Sequence, residues 1–321
     1  MKRRDFLLRS ALLGTAALAG NRLAPSLLAE TSASTPAPTA SGKSESTGAT
    51  GSDLAVVEST DTFAATLRAV ELIGGIGRFV KPGAKVGLLA NAGWRKPGAF
   101  TSPDVTLAIL QLCLDAGAGE ITYIIDPATD YWTRTPRGAQ YPKLVDAGRK
   151  NPGEWTEVEI PRGVSLKKAR VNRAYLDCEV LINLPIAKHH GGTSYTGCLK
   201  NVMGACDRDT NKFFHTGAGL KNGAENVAFL SQCIADVNLL RRPTLNVCDG
   251  TEFILTNGPA GPGELKRANK VFAGADAVAV DAYGCTLLGL TADKVAMIGM
   301  AVAHGLGQSD LGKLNVREVK L

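Results

Sequence analysis

Aromatic residues are scarce in this 321-residue chain, at 6%, so aliphatic side chains and alanine must fill most of any core. No Cys-x-x-Cys occurs, which removes the usual ferredoxin and zinc-ribbon spacings. The seven cysteines (113, 178, 198, 206, 233, 248 and 285) are odd in number and lie mostly in apolar stretches, as buried thiols rather than a disulfide framework. Gly217-Ala218-Gly219 completes neither a phosphate loop nor a dinucleotide fingerprint, and no motif of a standard catalytic triad is present. Positive charge is also thinner than it looks. Of the formal +6, Lys2, Arg3, Arg4, Arg9 and Arg22 against Asp5 place +4 in the first 29 residues. The remainder carries about +2, too little to imply nucleic acid as a partner.

What is present begins with an export signal. Paired arginines precede Phe6-Leu7 in Lys2-Arg3-Arg4-Asp5-Phe6-Leu7-Leu8, and an apolar run follows from Ala11 to Gly20. That run is shorter than the ~20 residues of an ordinary spanning helix. The pattern resembles a twin-arginine (Tat) signal over residues 1–30, with cleavage after Ala29 or Ala33. It implies the Tat translocation machinery as a partner and a periplasmic or extracytoplasmic destination, membrane-tethered if the signal is retained. Tat substrates often carry a cofactor, so a metal or redox cofactor enters as an expectation of unknown identity. Residues 31–52 are nearly all Ser, Thr, Ala, Pro and Gly, a flexible linker with nothing to bury.

Residues 53–321 read as one α/β domain with a mostly parallel sheet flanked by helices. Leu54–Val57 is a strand, and apolar residues from Phe63 to Val80 recur at helical spacing. Lys85–Ala90 is a buried strand ending at Asn91. Ser102-Pro103-Asp104 starts a helix that stops at Gly117, and Ile121–Ile125 is a strand ending at Asp126. This alternation predicts a parallel sheet, whose ligands sit beyond the carboxyl ends of strands; Asn91 and Asp126 occupy such ends. Residues 131–173 are less regular and read as an insertion or small second lobe. Val180–Leu184 is a further strand, 224–240 a helix, Leu245–Cys248 a short strand ending at Asp249-Gly250, and 275–288 and 291–303 the last helices.

Chemistry concentrates in residues 185–217, which hold three of the four histidines (His189, His190, His215) and Lys188, Lys200 and Lys212. Lys188 and Lys200 suit an anionic group, and a partly buried lysine could also act as a base. His190 could move a proton or, like His215 and Asp249, ligate a metal. Thr196-Gly197 reads as the entry to a short helix through Lys200 and Asn201, whose free N–H groups favour phosphate or carboxylate. Gly191 and Gly192 would let backbone approach a ligand. His189 reads as a bystander and His304 as a cap on a helix end.

At these residues the chain resembles the family known as domain of unknown function 362, whose members are often fused to ferredoxin-type modules. The matching stretches are Asn183-Leu-Pro-Ile-Ala-Lys188-His-His190, Thr196-Gly-Cys-Leu-Lys200-Asn201-Val-Met-Gly204, Arg242-Pro243 through Asp249-Gly250, Asn257-Gly258-Pro259, Gly263, and Gly274-Ala-Asp276 through Asp281. The resemblance spans about residues 54–290. Lys188, His190, Thr196, Lys200, Asn201, Asp249 and Asp281 match the family's polar positions, as does Asp236 inside a helix. The ferredoxin cysteines of the fused members are missing, which leaves an electron-transfer role, or an exported redox partner, without its cluster on this chain.

Three functions follow as expectations. In the first, an enzyme or redox accessory holds a small anionic or metal-bearing ligand among Lys188, His190, Lys200, Asn201 and Asp249, with Asn91, Asp126, Thr196, Gly250 and Asp281 as further binding residues. In the second, a non-enzymatic carrier delivers a metal or ligand to a partner. In the third, the strand–helix–strand start and His/Lys-rich loop are loosely similar to nickel-pincer lactate racemases, implying a racemase- or isomerase-like enzyme.

Overall fold

The computed structural model describes residues 52–321 apart from 218 and 220–222. The signal and linker readings therefore lie outside the described residues. No helix among the described residues is long and apolar enough to cross a membrane.

Eleven strands are present among the described residues: β1 (Leu54–Glu58), β2 (Lys85–Ala90), β3 (Glu120–Tyr123), β4 (Trp155–Glu159), β5 (Lys168–Asn172), β6 (Val180–Leu184), β7 (Lys188–His190), β8 (Ser194–Thr196), β9 (Leu245–Ile254), β10 (Leu265–Gly274) and β11 (Val316–Lys320). Seven of them form the central sheet in the order β11-β1-β10-β9-β6-β2-β3. The pairs β11–β1, β9–β6, β6–β2 and β2–β3 are parallel, and β10 runs antiparallel to both its neighbours. The fold is α/β with a mostly parallel sheet, as the sequence predicts.

Period-two alternation divides the strands between two cores. Ala55, Val57, Leu88, Ile182 and Val247 face one side, with α1 (Thr62–Leu72) and α2 (Pro103–Asp115) packed over them. Leu54, Val56, Leu89, Leu181, Cys248 and Phe272 face the other. That side is covered by α8 (Gly223–Val237), α9 (Ala277–Leu287) and α10 (Ala296–Ala303). Between these lie the short α3 (Pro136–Gln140), α4 (Pro142–Val145), α5 (Arg173–Asp177) and α6 (Cys198–Asn201), and α7 (Arg208–Thr216).

Segment 131–173 carries a two-stranded sheet of its own, β4–β5. Its apolar side chains join the main cores, Tyr131 on one side and Ile160, Leu166 and Val171 on the other, rather than forming a separate one.

Three local readings are corrected. The first helix ends at Leu72, not Val80, because Gly74 and Gly75 sit at φ +104° and +78°, which the helix cannot continue. β9 runs past Asp249-Gly250 to Ile254, because β10 supplies a partner ladder through that stretch. β10 was not foreseen. Its first half, Leu-Lys-Arg-Ala-Asn-Lys, is polar and lacks strand alternation.

Candidate functional site

β6 ends at Leu184 in the sheet centre, and the chain then crosses its carboxyl edge. There it makes the small antiparallel hairpin β7–β8, in which Lys188 is directly opposite Thr196. Gly191 and Gly192 form the hairpin turn: the Gly191 N–H donates to the Gly258 carbonyl and that of Gly192 to His190. Their role is the turn, not approach to a ligand.

Helix α6 follows and is fixed at both ends. At its start the Cys198 and Leu199 N–H groups donate to the two Asp281 carboxylate oxygens at 2.5 and 2.9 Å. The anion expected at this helix N-terminus is therefore the protein's own carboxylate, and Asp281 caps a helix rather than lining a ligand site. Gly197 is required here, since a Cβ would fall 2.1 Å from Asp281 Oδ1. Burial pushes Asp281 up to about 7, with the two backbone N–H bonds opposing. At its other end Asn201 Nδ2 donates to the Leu89 carbonyl and to Asn183 Oδ1 at 2.9 and 2.8 Å. Asn183 in turn donates to Asn246 Oδ1 at 3.0 Å, a chain of amides that ties α6 to β2, β6 and β9.

These elements enclose a cavity of about 290 Å³ beyond the carboxyl ends of β2, β3 and β6. Asn91, Lys188, His190, Thr196, Lys200, Asn201 and His215 all line it, with Trp94, Ile125, Met203 and Pro259 as its carbon walls. No Asp or Glu lines it among the described residues.

Lys188 is fully buried, and its Nζ donates to the Ala99 and Pro259 carbonyls at 2.5 and 2.8 Å, with the Trp94 ring 5.2 Å away. Burial, and then the charge of Lys200, lowers it to about 7. Lys200 is 8% exposed, and its one hydrogen-bond partner is the Met203 sulfur at 3.2 Å. Burial lowers it to about 8. Neither ammonium has a carboxylate partner. Thr196 is 3% exposed and its hydroxyl has no hydrogen-bond partner at all.

His190 has a fixed role. The Gly192 and Thr193 N–H groups both donate to its Nδ1, at 2.9 and 3.2 Å, so the neutral ring carries its proton on Nε2. Burial first, then Lys200, His215 and Lys188, lowers its pKa to about 3, and the ring is neutral at physiological pH. His190 is thus a hydrogen-bond donor rather than a base. Its lone pair is occupied, which removes it as a metal ligand in this arrangement. The His215 ring lies nearly parallel at 6.4 Å between centroids, its pKa lowered by burial and then by Lys200. No three His, Cys, Asp or Glu side chains among the described residues are grouped to hold a metal.

The remaining expected positions lie elsewhere. Asp249 does not line the cavity with Lys188, His190, Lys200 and Asn201: its carboxylate accepts from the Ser102 N–H at 2.6 Å and from the Thr251 N–H and hydroxyl at 2.8 and 2.6 Å, beside a separate cavity of about 710 Å³. Gly250 serves packing, since a Cβ would meet Leu287 at 2.6 Å. Asp126 accepts from the Asn151 N–H. Asp236 accepts from the Ser165 and Leu166 N–H groups at 2.7 and 2.8 Å, and His304 Nε2 is hydrogen-bonded to it at 2.8 Å, so His304 holds a buried carboxylate and is not only a helix cap. Sequence reasoning missed Trp94 and the Ala99 carbonyl and gave no role to Met203 or the Pro259 carbonyl. The last two fall in the stretches Thr196 to Gly204 and Asn257-Gly258-Pro259, which carried a signal.

Fold and pocket together define an α/β domain with a pocket at its strand ends lined by two buried lysines. The family profile of domain of unknown function 362 (DUF362) matches residues 86–286, and the chain belongs to that family. It is 28% identical over 258 residues to a thylakoid-associated protein of Synechocystis sp., across 76% of this chain and 74% of that one. Among solved structures, the lactate racemase apoprotein from Thermoanaerobacterium thermosaccharolyticum superposes with a TM-score of 0.40 at 14% identity. The match covers 78% of this chain and 57% of that one. A Thermotoga maritima protein gives 0.35 at 15% identity, over 60% and 51%.

Proposed function

We propose that the cavity binds a small anionic molecule between Lys188 and Lys200 and that the domain acts on it as an enzyme. One observation carries this reading: two buried ammonium groups share a cavity that no carboxylate lines. Uncompensated buried charge is unfavourable, and a bound anion would remove that penalty. The Thr196 hydroxyl and the His190 Nε2–H add neutral donors for its oxygens. Lys188, lowered to about 7, passes between ammonium and amine near neutral pH and is suited to move a proton. The Ala99 and Pro259 carbonyls hold it in place in either state.

The twin-arginine signal would place this activity outside the cytoplasm. Fractionation and N-terminal sequencing of the mature chain test that part, and a chain confined to the cytoplasm would refute it.

Calorimetry with inorganic phosphate and with oxalate tests the site. Lys200→Met and Lys188→Met should each weaken binding roughly tenfold or more, as expected for losing one charge-assisted contact. Unchanged affinity in Lys200→Met would remove the anion reading. Turnover separates an enzyme from a carrier, which would bind its ligand stoichiometrically and convert nothing.

A further inference from the structure

The two pocket lysines are not equivalent. Lys188 has two of its N–H bonds directed to carbonyl oxygens, whereas the Lys200 nitrogen meets no oxygen and has only the weak acceptor Met203 Sδ at 3.2 Å. Its backbone cannot drift, because the Asp281 cap precedes it and the Asn201 amide chain follows it. The nitrogen therefore sits in a small cavity, next to a second cation, against carbon walls, on a rigid mount. Burial in a carbon-walled pocket is one of the conditions that turn a lysine into an amine nucleophile.

We propose that Lys200 forms a Schiff base with the carbonyl carbon of a small anionic aldehyde or 2-oxo acid. The assignment rests on the anion-binding reading above and names the substrate class. The amine lone pair attacks the carbonyl carbon while the C=O π pair moves onto oxygen. That oxygen then leaves as water with the two hydrogens of the amine, and the C=N bond remains. No oxidant or reductant is consumed. The Thr196 hydroxyl and the His190 Nε2–H line the same cavity and are donors for the oxygen as negative charge builds on it. Lys188 pairs with the carboxylate. With its pKa lowered to about 8, Lys200 keeps on the order of a hundred times more free amine at neutral pH than a lysine at its ordinary value.

Glyoxylate is the probe. The full chain is incubated near neutral pH with glyoxylate and cyanoborohydride, which reduces any imine to a stable carboxymethyl-lysine, and the adducts are mapped by peptide mass spectrometry. Lys200 should be modified roughly tenfold faster than any other lysine, and excess oxalate should slow it. Equal labelling of Lys200 and surface lysines, or labelling at Lys188 instead, overturns the proposal. Oxalate binding without a Lys200 adduct overturns the Schiff base and leaves the anion site standing. Neither binding nor adduct overturns both.

Discussion

Replacing Lys200 with methionine should stabilise the domain while weakening its ligand binding. Methionine matches the unbranched stem, and its sulfur would pack where Nζ now meets the Met203 sulfur. The magnitude follows from the lowering of Lys200 from 10.5 to about 8 by burial. At 1.36 kcal/mol per pKa unit, the buried ammonium destabilises the folded state by about 3 kcal/mol at pH 7. The sign is that of a lysine with a depressed folded-state pKa. The penalty is fully present below about 8 and fades as pH rises toward 10.5, where the unfolded chain also loses the proton. Urea unfolding in buffer free of phosphate and sulfate should show Lys200→Met more stable by about 3 kcal/mol at pH 7 and by less than about 1 kcal/mol at pH 10, with an unchanged m-value. The difference between the two proteins is the quantity to read. Buried thiols such as Cys113, Cys206 and Cys233, pushed to about 12 by burial, lower the stability of both equally at high pH. A variant less stable than the parent at pH 7, or a difference that does not change with pH, would refute the reasoning. Either would mean that the ammonium is already solvated or paired.

Three further outcomes are expected. Gly197→Ala puts a Cβ 2.1 Å from Asp281 Oδ1 and 2.5 Å from the Tyr195 hydroxyl, so the cap must break. The denaturation midpoint should fall by the equivalent of about 3 kcal/mol or more, and an unchanged midpoint would contradict the packing described. Asp236→Ala leaves the Ser165 and Leu166 N–H groups without their acceptor and should lower stability by about 2–4 kcal/mol, measured by urea unfolding. Oxalate affinity should fall as pH rises through the values of about 7 and 8 of Lys188 and Lys200, because the anion needs their protonated forms. Calorimetry at pH 6.5 and 9 should show a loss of roughly tenfold or more, and a flat profile would exclude the lysines as the anion's partners.

Much of the fold was legible because its strongest signals are local. Lys85–Ala90 and Val180–Leu184 occupy the bounds their apolar runs predict, and Ser102 caps α2 by accepting from the Asp104 N–H. β10 and β11 escaped because charged residues fill them where alternation would announce a strand. The site divides in the same way. Lys188, His190, Thr196, Lys200 and Asn201 fall within one loop of sequence, so their clustering could be read directly. Asp249 and Asp281 look identical on paper, polar residues beside apolar strands or helices. Whether such a carboxylate meets a ligand or a backbone N–H depends on segments far along the chain: Ser102 for Asp249, and Cys198 and Leu199 for Asp281.

The same division of labour bears on the charge of the pocket, which two lysines and no acid line. The domain also buries the carboxylates of Asp281 and Asp249, and neither lines the pocket. Both are instead taken up by backbone donors, Asp281 by the first N–H groups of α6 and Asp249 by those of Ser102 and Thr251. Burial raises the pKa of each carboxylate and lowers that of each lysine, so without the N–H bonds all four groups would tend toward their neutral forms. The backbone bonds oppose that rise in the acids without cancelling it. Lys188 is left with carbonyl dipoles and Lys200 with a thioether, and a ligand that supplies negative charge is what the arrangement still lacks.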